Sequence, residues 1–353
     1  MNKRMILYIQ GAILLIESAI MVLPIAAALI YRETSGVWFF YTALAAAICG
    51  FAAMKLSKPR TKTIYAKEGL ITVALGWIVL SLVGALPFTL SGEIPFYLDA
   101  VFEMISGFTT TGSSILPNVE ALSRCMLLWR SFSHWLGGMG ILVFMLAIVK
   151  MEGGQGIHLL RAESPGPTVG KMVPRMVDSS KILYTIYFAL TLVQVVFYLA
   201  GGMPLFDSLC NAFATAGTGG FSIKADSFAS YSMYAQTVTT VFMALFGVNF
   251  SIYFFLLQKK FDLAFKNTEL RWYVGIILFS IAMITANILP MYPDFHAAIH
   301  HAAFSVSSVI TTTGFGTENF DLWPEFSRVI LVFLMIVGAS AGSTGGGLKV
   351  SRL

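Results

Sequence analysis

Asp99-Ala-Val-Phe-Glu-Met-Ile-Ser-Gly-Phe-Thr-Thr-Thr-Gly112 decides the reading of this chain, because it recurs. His301-Ala-Ala-Phe-Ser-Val-Ser-Ser-Val-Ile-Thr-Thr-Thr-Gly314 matches it without a gap. Asp207-Ser-Leu-Cys-Asn-Ala-Phe-Ala-Thr-Ala-Gly-Thr-Gly-Gly220 has the same length and also ends in a Thr/Gly run. A proline precedes each copy: Pro95, Pro204 and Pro293. The apolar parts, about 99–109, 207–217 and 295–310, are too short to cross a bilayer, which takes roughly 20 apolar residues. Asp99 and Asp207 suit the N-caps of two of these short helices.

Working outward, each copy lies between two longer apolar stretches. Eight stretches are long enough to span: about 5–30, 37–56, 69–90, 124–150, 182–201, 233–257, 271–290 and 326–350. A short apolar helix between two spans reads as a re-entrant segment buried in protein. The unit is therefore span, short helix, Thr/Gly loop, span, present three times after two extra N-terminal spans. On this pattern residues 1–68 hold the two extra spans, and 69–155, 156–260 and 261–353 hold pore repeats 1, 2 and 3. The predicted fold is an all-α polytopic membrane protein of repeated units. Composition agrees. The chain is 57% hydrophobic and 12% charged, against roughly 25% charged in soluble domains, and its mean hydropathy is +0.77. The first apolar run outlasts the roughly 7–15 residues of a signal sequence, and Glu17 within it should face other helices.

With the N-terminus in the cytoplasm, most Lys and Arg fall on that side, including Lys55 to Lys67, Lys150 to Lys181, Lys259 to Arg271, and Lys349 with Arg352. Arg32, Arg124, Arg130, Lys224 and Arg328 remain outside. This is a positive-inside pattern. The Thr/Gly loops then face outward among Glu93, Asp99, Glu120, Asp207, Asp226, Asp294, Glu318 and Asp321, which concentrate cations. Basic residues divided among short loops argue against nucleic-acid binding, though the cytoplasmic ones suit an acidic partner or anionic lipid. Cys49, Cys125 and Cys210 have no spacing of a disulfide framework or metal knuckle. His296 and His300 stand four apart but lack the companions of a helical zinc motif. Gly137, Gly138 and Gly140 suit a close helix crossing. No nucleophile–base set or intramembrane carboxylate pair is visible, so the chain is not expected to be an enzyme and needs no cofactor.

Glycine and threonine are what a dehydrated alkali cation requires. Rings of carbonyl oxygens replace its water shell without a net charge to trap it. Aiming successive carbonyls at one axis takes positive φ, which glycine adopts freely. Threonine hydroxyls can add oxygens, and each short helix directs its negative end at the site. The candidate filter is Thr109, Thr110, Thr111 and Gly112; Thr218, Gly219 and Gly220; and Thr311, Thr312, Thr313 and Gly314. An alkali cation bound there is the only metal expected.

These loops resemble those of the Trk/Ktr/HKT superfamily of potassium transporters, specifically its bacterial TrkH branch. So do Arg130-Ser-Phe-Ser-His-Trp135-Leu-Gly137-Gly138-Met-Gly140, Ala162-Glu-Ser-Pro165-Gly166-Pro167 leading to Pro174-Arg175 and Lys181-Ile-Leu-Tyr184, and Ala341-Gly342-Ser343-Thr344-Gly345-Gly346-Gly347-Leu-Lys349. The resemblance spans essentially the whole chain. It implies potassium uptake across the bacterial inner membrane, a single-chain pseudo-tetrameric pore, a homodimer, and a cytosolic nucleotide-binding regulator of the TrkA type. It carries the filter glycines onto Gly112, Gly220 and Gly314. Serine at the first of these accompanies sodium transport, so Gly112 favours potassium. It also makes Gly342, Ser343, Thr344, Gly345, Gly346 and Gly347 an intramembrane gate loop under the filter. Four glycines in six residues cannot hold a helix, at about 1 kcal/mol each relative to alanine. A phosphate-binding loop is the rival, but Leu348 stands where its lysine belongs. The resemblance implies a fourth unit too, and none is present before Leu353. The chain is therefore expected to be a fragment or a truncated form, and a non-conducting one is an alternative. A cation-coupled secondary transporter is another, although inverted repeats are usual there and these three units share one orientation.

Overall fold

The computed structural model describes residues 2–59, 65–140 and 176–353. The second half of the fourth span and the Ala162–Arg175 motifs lie outside the described residues. The chain divides into two compact units, residues 1–184 and 185–353, and the elements among the described residues are helices in both.

In the first unit α1 (Lys3–Ile20) starts at Asn2, whose side chain accepts from Met5 N at 3.1 Å. It continues through Met21 into α2 (Val22–Tyr31), with Pro24 in the first turn, where proline is tolerated. Next come α3 (Gly36–Leu56), α4 (Ala66–Ser91), the short α5 (Tyr97–Phe108) and α6 (Arg124–Met139). Glycine lets α1 and α3 touch. A Cβ on Gly11 would stand 2.7 Å from Gly50 O, and one on Gly50 would stand 2.7 Å from Gly11 O. Small residues serve this purpose where lipid supplies no hydrophobic force between helices. Gln10 Nε2 donates to Thr72 O on α4 at 2.9 Å, and Glu17 is fully buried among helices as expected.

The second unit contains α7 (Met176–Ala200, begun in the first unit's residues), α8 (Leu205–Ala216), α9 (Met233–Phe246), α10 (Phe250–Leu257), α11 (Phe261–Phe265), α12 (Thr268–Ile288), α13 (Phe295–Ile310) and α14 (Glu325–Val337). Its core joins Ile277 and Ile284 of α12, Ala298, Ala302 and Val306 of α13, and Leu331 and Leu334 of α14.

Among the described residues, five stretches are long and apolar enough to cross a membrane: Lys3–Tyr31, Gly36–Leu56, Lys67–Ser91, Lys181–Ala200 and Thr268–Met291. The short helices α5, α8 and α13 have 12, 12 and 16 residues. At about 1.5 Å per residue they cannot span. All three follow their expected segments closely.

Three expectations need correction. The stretch 233–257 is not one straight helix: α9 and α10 meet at 90° across Gly247-Val248-Asn249. Gly247 N still bonds Met243 O, and Asn249 caps the new helix through Ser251 N at 2.9 Å, so the break leaves its polar ends satisfied. The last span stops at Val337, five residues before the glycine cluster, because Gly338 takes φ +72°. Finally, Asp99 and Asp207 are not N-caps. Phe96 and Pro204 hold those positions, since the preceding prolines set the helix starts, and the aspartates lie in the first turn. A carboxylate there still complements the helix dipole. In the third copy the cap is Asp294, which accepts from Ala297 N at 2.7 Å.

Candidate functional site

The three Thr/Gly loops share one backbone. In each, φ is positive at the second and fourth residues: Thr110 (+55°) and Gly112 (+77°), Thr218 (+51°) and Gly220 (+78°), Thr312 (+57°) and Gly314 (+86°). Their hydrogen bonds repeat as well. Thr111 N, Gly219 N and Thr313 N each donate five residues back, to Ser106 O, Ala214 O and Ser308 O, at 2.9, 3.1 and 2.8 Å. Alternating hands along a chain turn successive peptide planes over, which brings their carbonyls toward one side.

Positive φ was expected of the glycines but not of the threonines. A β-branched residue in the left-handed region is a real outlier, and holding one there costs about 1–3 kcal/mol. Three at equivalent positions mark a conformation the loops require.

The threonine hydroxyls serve the loops themselves. Thr311 Oγ1 donates to Ser307 O at 2.6 Å and pairs with Thr313 Oγ1 at 2.7 Å. Thr109 Oγ1 does the same with Ile105 O (2.7 Å) and Thr111 Oγ1 (2.8 Å). Thr218 Oγ1 donates to Gly217 O at 2.7 Å. Oxygens free to face an ion are therefore chiefly backbone carbonyls.

Within the first unit, loop 1 leans on α6. A Cβ on Gly137 would overlap Phe108 O and stand 2.9 Å from Thr110 Cγ2, so Gly137 is the close crossing its motif suggested. Within the second unit, loops 2 and 3 touch: a Cβ on Gly220 would collide with Thr313 O and lie 3.3 Å from Gly314 C. Loop 1 is largely exposed, whereas loops 2 and 3 are mostly buried.

The glycine-rich segment lies directly against loop 3. It runs from Gly338 to Lys349 and folds back on the end of α14, with Ala339 N donating to Gly346 O and Lys349 N to Val337 O. Gly346 N donates to Thr312 Oγ1 at 2.7 Å, and a Cβ on Gly345 would stand 2.9 Å from Thr311 O. The segment is also stitched to the α9–α10 break. Phe250 N donates to Gly342 O (3.0 Å), Ser340 N to Gly247 O (3.1 Å) and Thr344 Oγ1 to Phe246 O (3.2 Å). Glu269, on α12, accepts from Ala341 N at 2.6 Å. Ser343 Oγ donates to Ser340 O at 2.6 Å. Lys349, counted from sequence among the cytoplasmic charges, is 3% exposed and donates to Gly345 O. The bent backbone offers its ammonium a carbonyl, which offsets the cost of leaving water.

The histidines brace the second unit. His300 Nε2 pairs with Gln236 Oε1 at 2.7 Å, His301 Nδ1 with Thr317 Oγ1 at 3.1 Å, and His296 is exposed. Burial holds the imidazoles of His300 and His301 below their usual range, and Glu318 opposes this at His301. Among the described residues, no cluster of three or more His, Cys, Asp or Glu side chains could hold a metal ion. Sequence reasoning passed over Glu103, which is fully buried on α5 and ion-paired with Arg130. Its place inside an apolar segment was the available signal.

Residues 38–353 match the model of the family described as TrkH, cation transport protein. The "Trk system potassium uptake protein TrkH" of Salmonella typhimurium is 35% identical over 359 residues, covering 100% of this chain and 74% of that protein. The protein TrkG of the same system in Escherichia coli is 31% identical, covering 99% of this chain and 73% of its own length. The crystal structure of the potassium transporter TrkH from Vibrio parahaemolyticus superposes with a TM-score of 0.87 at 32% identity, over 100% of this chain and 74% of that one.

Proposed function

This chain belongs to the TrkH family of cation transport proteins, and we propose that it takes up potassium through a pore lined by its three Thr/Gly loops. The observation that carries the reading is the repeated backbone of those loops, with left-handed threonine and glycine at the same two places each time. Strain kept at three equivalent sites points to a shared task. Carbonyls aligned in this way, at the negative ends of three short helices, suit a cation that must shed water without being trapped. In this reading Thr109 to Gly112, Thr218 to Gly220, and Thr311 to Gly314 form the filter.

Gly342 to Gly347 form the gate, supported by their contact with Thr311 and Thr312. The segment itself is held by backbone hydrogen bonds, by the hydroxyls of Ser343 and Thr344 and by Glu269, between Ala339 and Val350, which anchor its two ends in the core. The protein sits in the bacterial inner membrane with a cytoplasmic N-terminus, works as a homodimer, and answers to a nucleotide-binding regulator of the TrkA type. Uptake of Rb+ or K+ into reconstituted vesicles tests the pore: flux should follow an imposed potential and be blocked little by Na+. Flux indifferent to potential would refute it. Deleting residues 343–346 should raise the flux, and an unchanged or lower flux would count against a gate there.

A further inference from the structure

Behind the first loop lies an ion pair that the pore reading leaves without a task. Glu103 on α5 has no exposed surface and Arg130 on α6 is 2% exposed, with Arg130 Nε donating to Glu103 Oε1. The same carboxylate accepts from Ser114 Oγ at 3.0 and 3.2 Å and from Ile115 N at 3.0 Å. Ser114 and Ile115 are the second and third residues after Gly112, on the arm that leaves the loop. One buried side chain thus ties the short helix, the outgoing arm and the next long helix together.

Stability alone does not account for it. A buried ion pair gains little over packed apolar residues of the same size, because desolvation offsets the attraction. What an apolar pair cannot do is hold a backbone N–H and a hydroxyl of the loop. The matching positions in the other two copies are Asn211 and Ser305, both uncharged, so the ionic tie belongs to the first copy.

We propose that Glu103, itself held by Arg130, is a positioning residue that fixes the outgoing arm of the first loop and thereby sets the preference for K+ over Na+ there. The proposal rests on reading that loop as part of the filter. Na+ is smaller than K+ and is well coordinated only if carbonyls move inward, and an arm tied at Ile115 resists that movement.

The test is Rb+ uptake by the full chain in vesicles, with Na+ as competitor. Glu103→Gln should lower the Rb+ over Na+ ratio about tenfold, equivalent to about 1.4 kcal/mol. Glu103→Asp, which keeps the charge but is one methylene shorter, should shift it in the same direction by less. A wild-type ratio in both variants would overturn the proposal. Should the Glu103 variants fail to accumulate in the membrane, Ser114→Ala removes one donor and leaves the ion pair intact. Its ratio should also fall, and an unchanged ratio would overturn the proposal equally. Gly112→Ser run in parallel separates the two ideas. If it alters the ratio and the Glu103 and Ser114 variants do not, only the positioning role fails. If it too changes nothing, the filter reading fails with it.

Discussion

Gly220→Ala and Gly314→Ala form a matched pair whose difference follows from the contact between loops 2 and 3. Both glycines occupy the left-handed region, at φ +78° and +86°, so alanine at either costs about 1–2 kcal/mol of backbone strain. Their surroundings differ. Nothing lies within 4 Å of a Cβ placed on Gly314, whereas on Gly220 it would lie well inside 3.0 Å of Thr313 O and 3.1 Å from Thr313 C. Backbone cannot rotate away as a side-chain tip can. Relieving the overlap means moving the Thr313 carbonyl, at a further cost of about 1–3 kcal/mol by comparison with overpacked cores. If that carbonyl coordinates the ion, the displacement should lower flux about 5–150-fold, the range to which 1–3 kcal/mol corresponds. Gly314→Ala should lose flux far less. The assay is initial Rb+ uptake into vesicles under a fixed potential, normalised to inserted protein and set beside the thermal unfolding midpoint of each variant. Equal flux losses in the two variants would refute the reasoning. So would a Gly220→Ala protein that conducts normally despite a lowered unfolding midpoint, because the loop contact would then matter to folding alone.

Other residues give independent checks. Gly112→Ser should loosen discrimination between K+ and Na+, read as stronger Na+ competition against Rb+ uptake; an unaltered competition curve would remove Gly112 from the filter. Glu269→Gln weakens the bond to Ala341 N by about 1 kcal/mol, the difference between charged and neutral acceptors. Flux should rise about fivefold at unchanged selectivity, and a fall would show that Glu269 supports the open path instead. Gly11→Val should overpack the α1–α3 crossing by about 1–3 kcal/mol, visible as a lower unfolding midpoint with K+ preference intact. Because His300 and His301 titrate below their ordinary value, the unfolded chain takes up protons first as pH falls. The stability they contribute is full above about pH 6.5 and is lost as pH drops further. Unfolding midpoints measured down to about pH 5 should decline, and less so in the double variant His300→Gln/His301→Gln.

Much of the fold was legible because a bilayer imposes length and polarity rules that a single sequence obeys. The short helices at 97–108, 205–216 and 295–310 fall within a few residues of where apolar length and preceding prolines put them. The break inside 233–257 was not legible. Gly247 is a single glycine in an apolar run, and a lone glycine usually costs a helix only about 1 kcal/mol. The bend is decided by tertiary contacts: a Cβ on Gly247 would collide with Tyr273 Oη and stand 2.8 Å from Thr311 Cγ2. The early end of α14 has a similar origin, since Gly338 turns out to let the returning strand of Gly346 and Gly347 pass. Both breaks answer to partners distant in sequence.

Those two breaks are also one structure. Gly247-Val248-Asn249 and Gly338 to Lys349 exchange hydrogen bonds in both directions, through Ser340 N to Gly247 O and Phe250 N to Gly342 O. Each irregular segment supplies hydrogen-bond partners that the backbone of the other lacks. The consequence is mechanical. The glycine segment touches loop 3 at Thr312 Oγ1 on one side and the α9–α10 break on the other. A displacement of α10 therefore pulls on Gly342 through Phe250 N, while the break also meets loop 3 directly, where a Cβ on Gly247 would stand 2.8 Å from Thr311 Cγ2. Since α10 leads into the basic stretch Lys259, Lys260 and Lys266, a partner bound there would act on the glycine segment through the break. Ile252 of α10, Val248 of the break and Ala339 of the glycine segment belong to the same core as Ile277, Ala302 and Leu334, so such a movement is shared with that core.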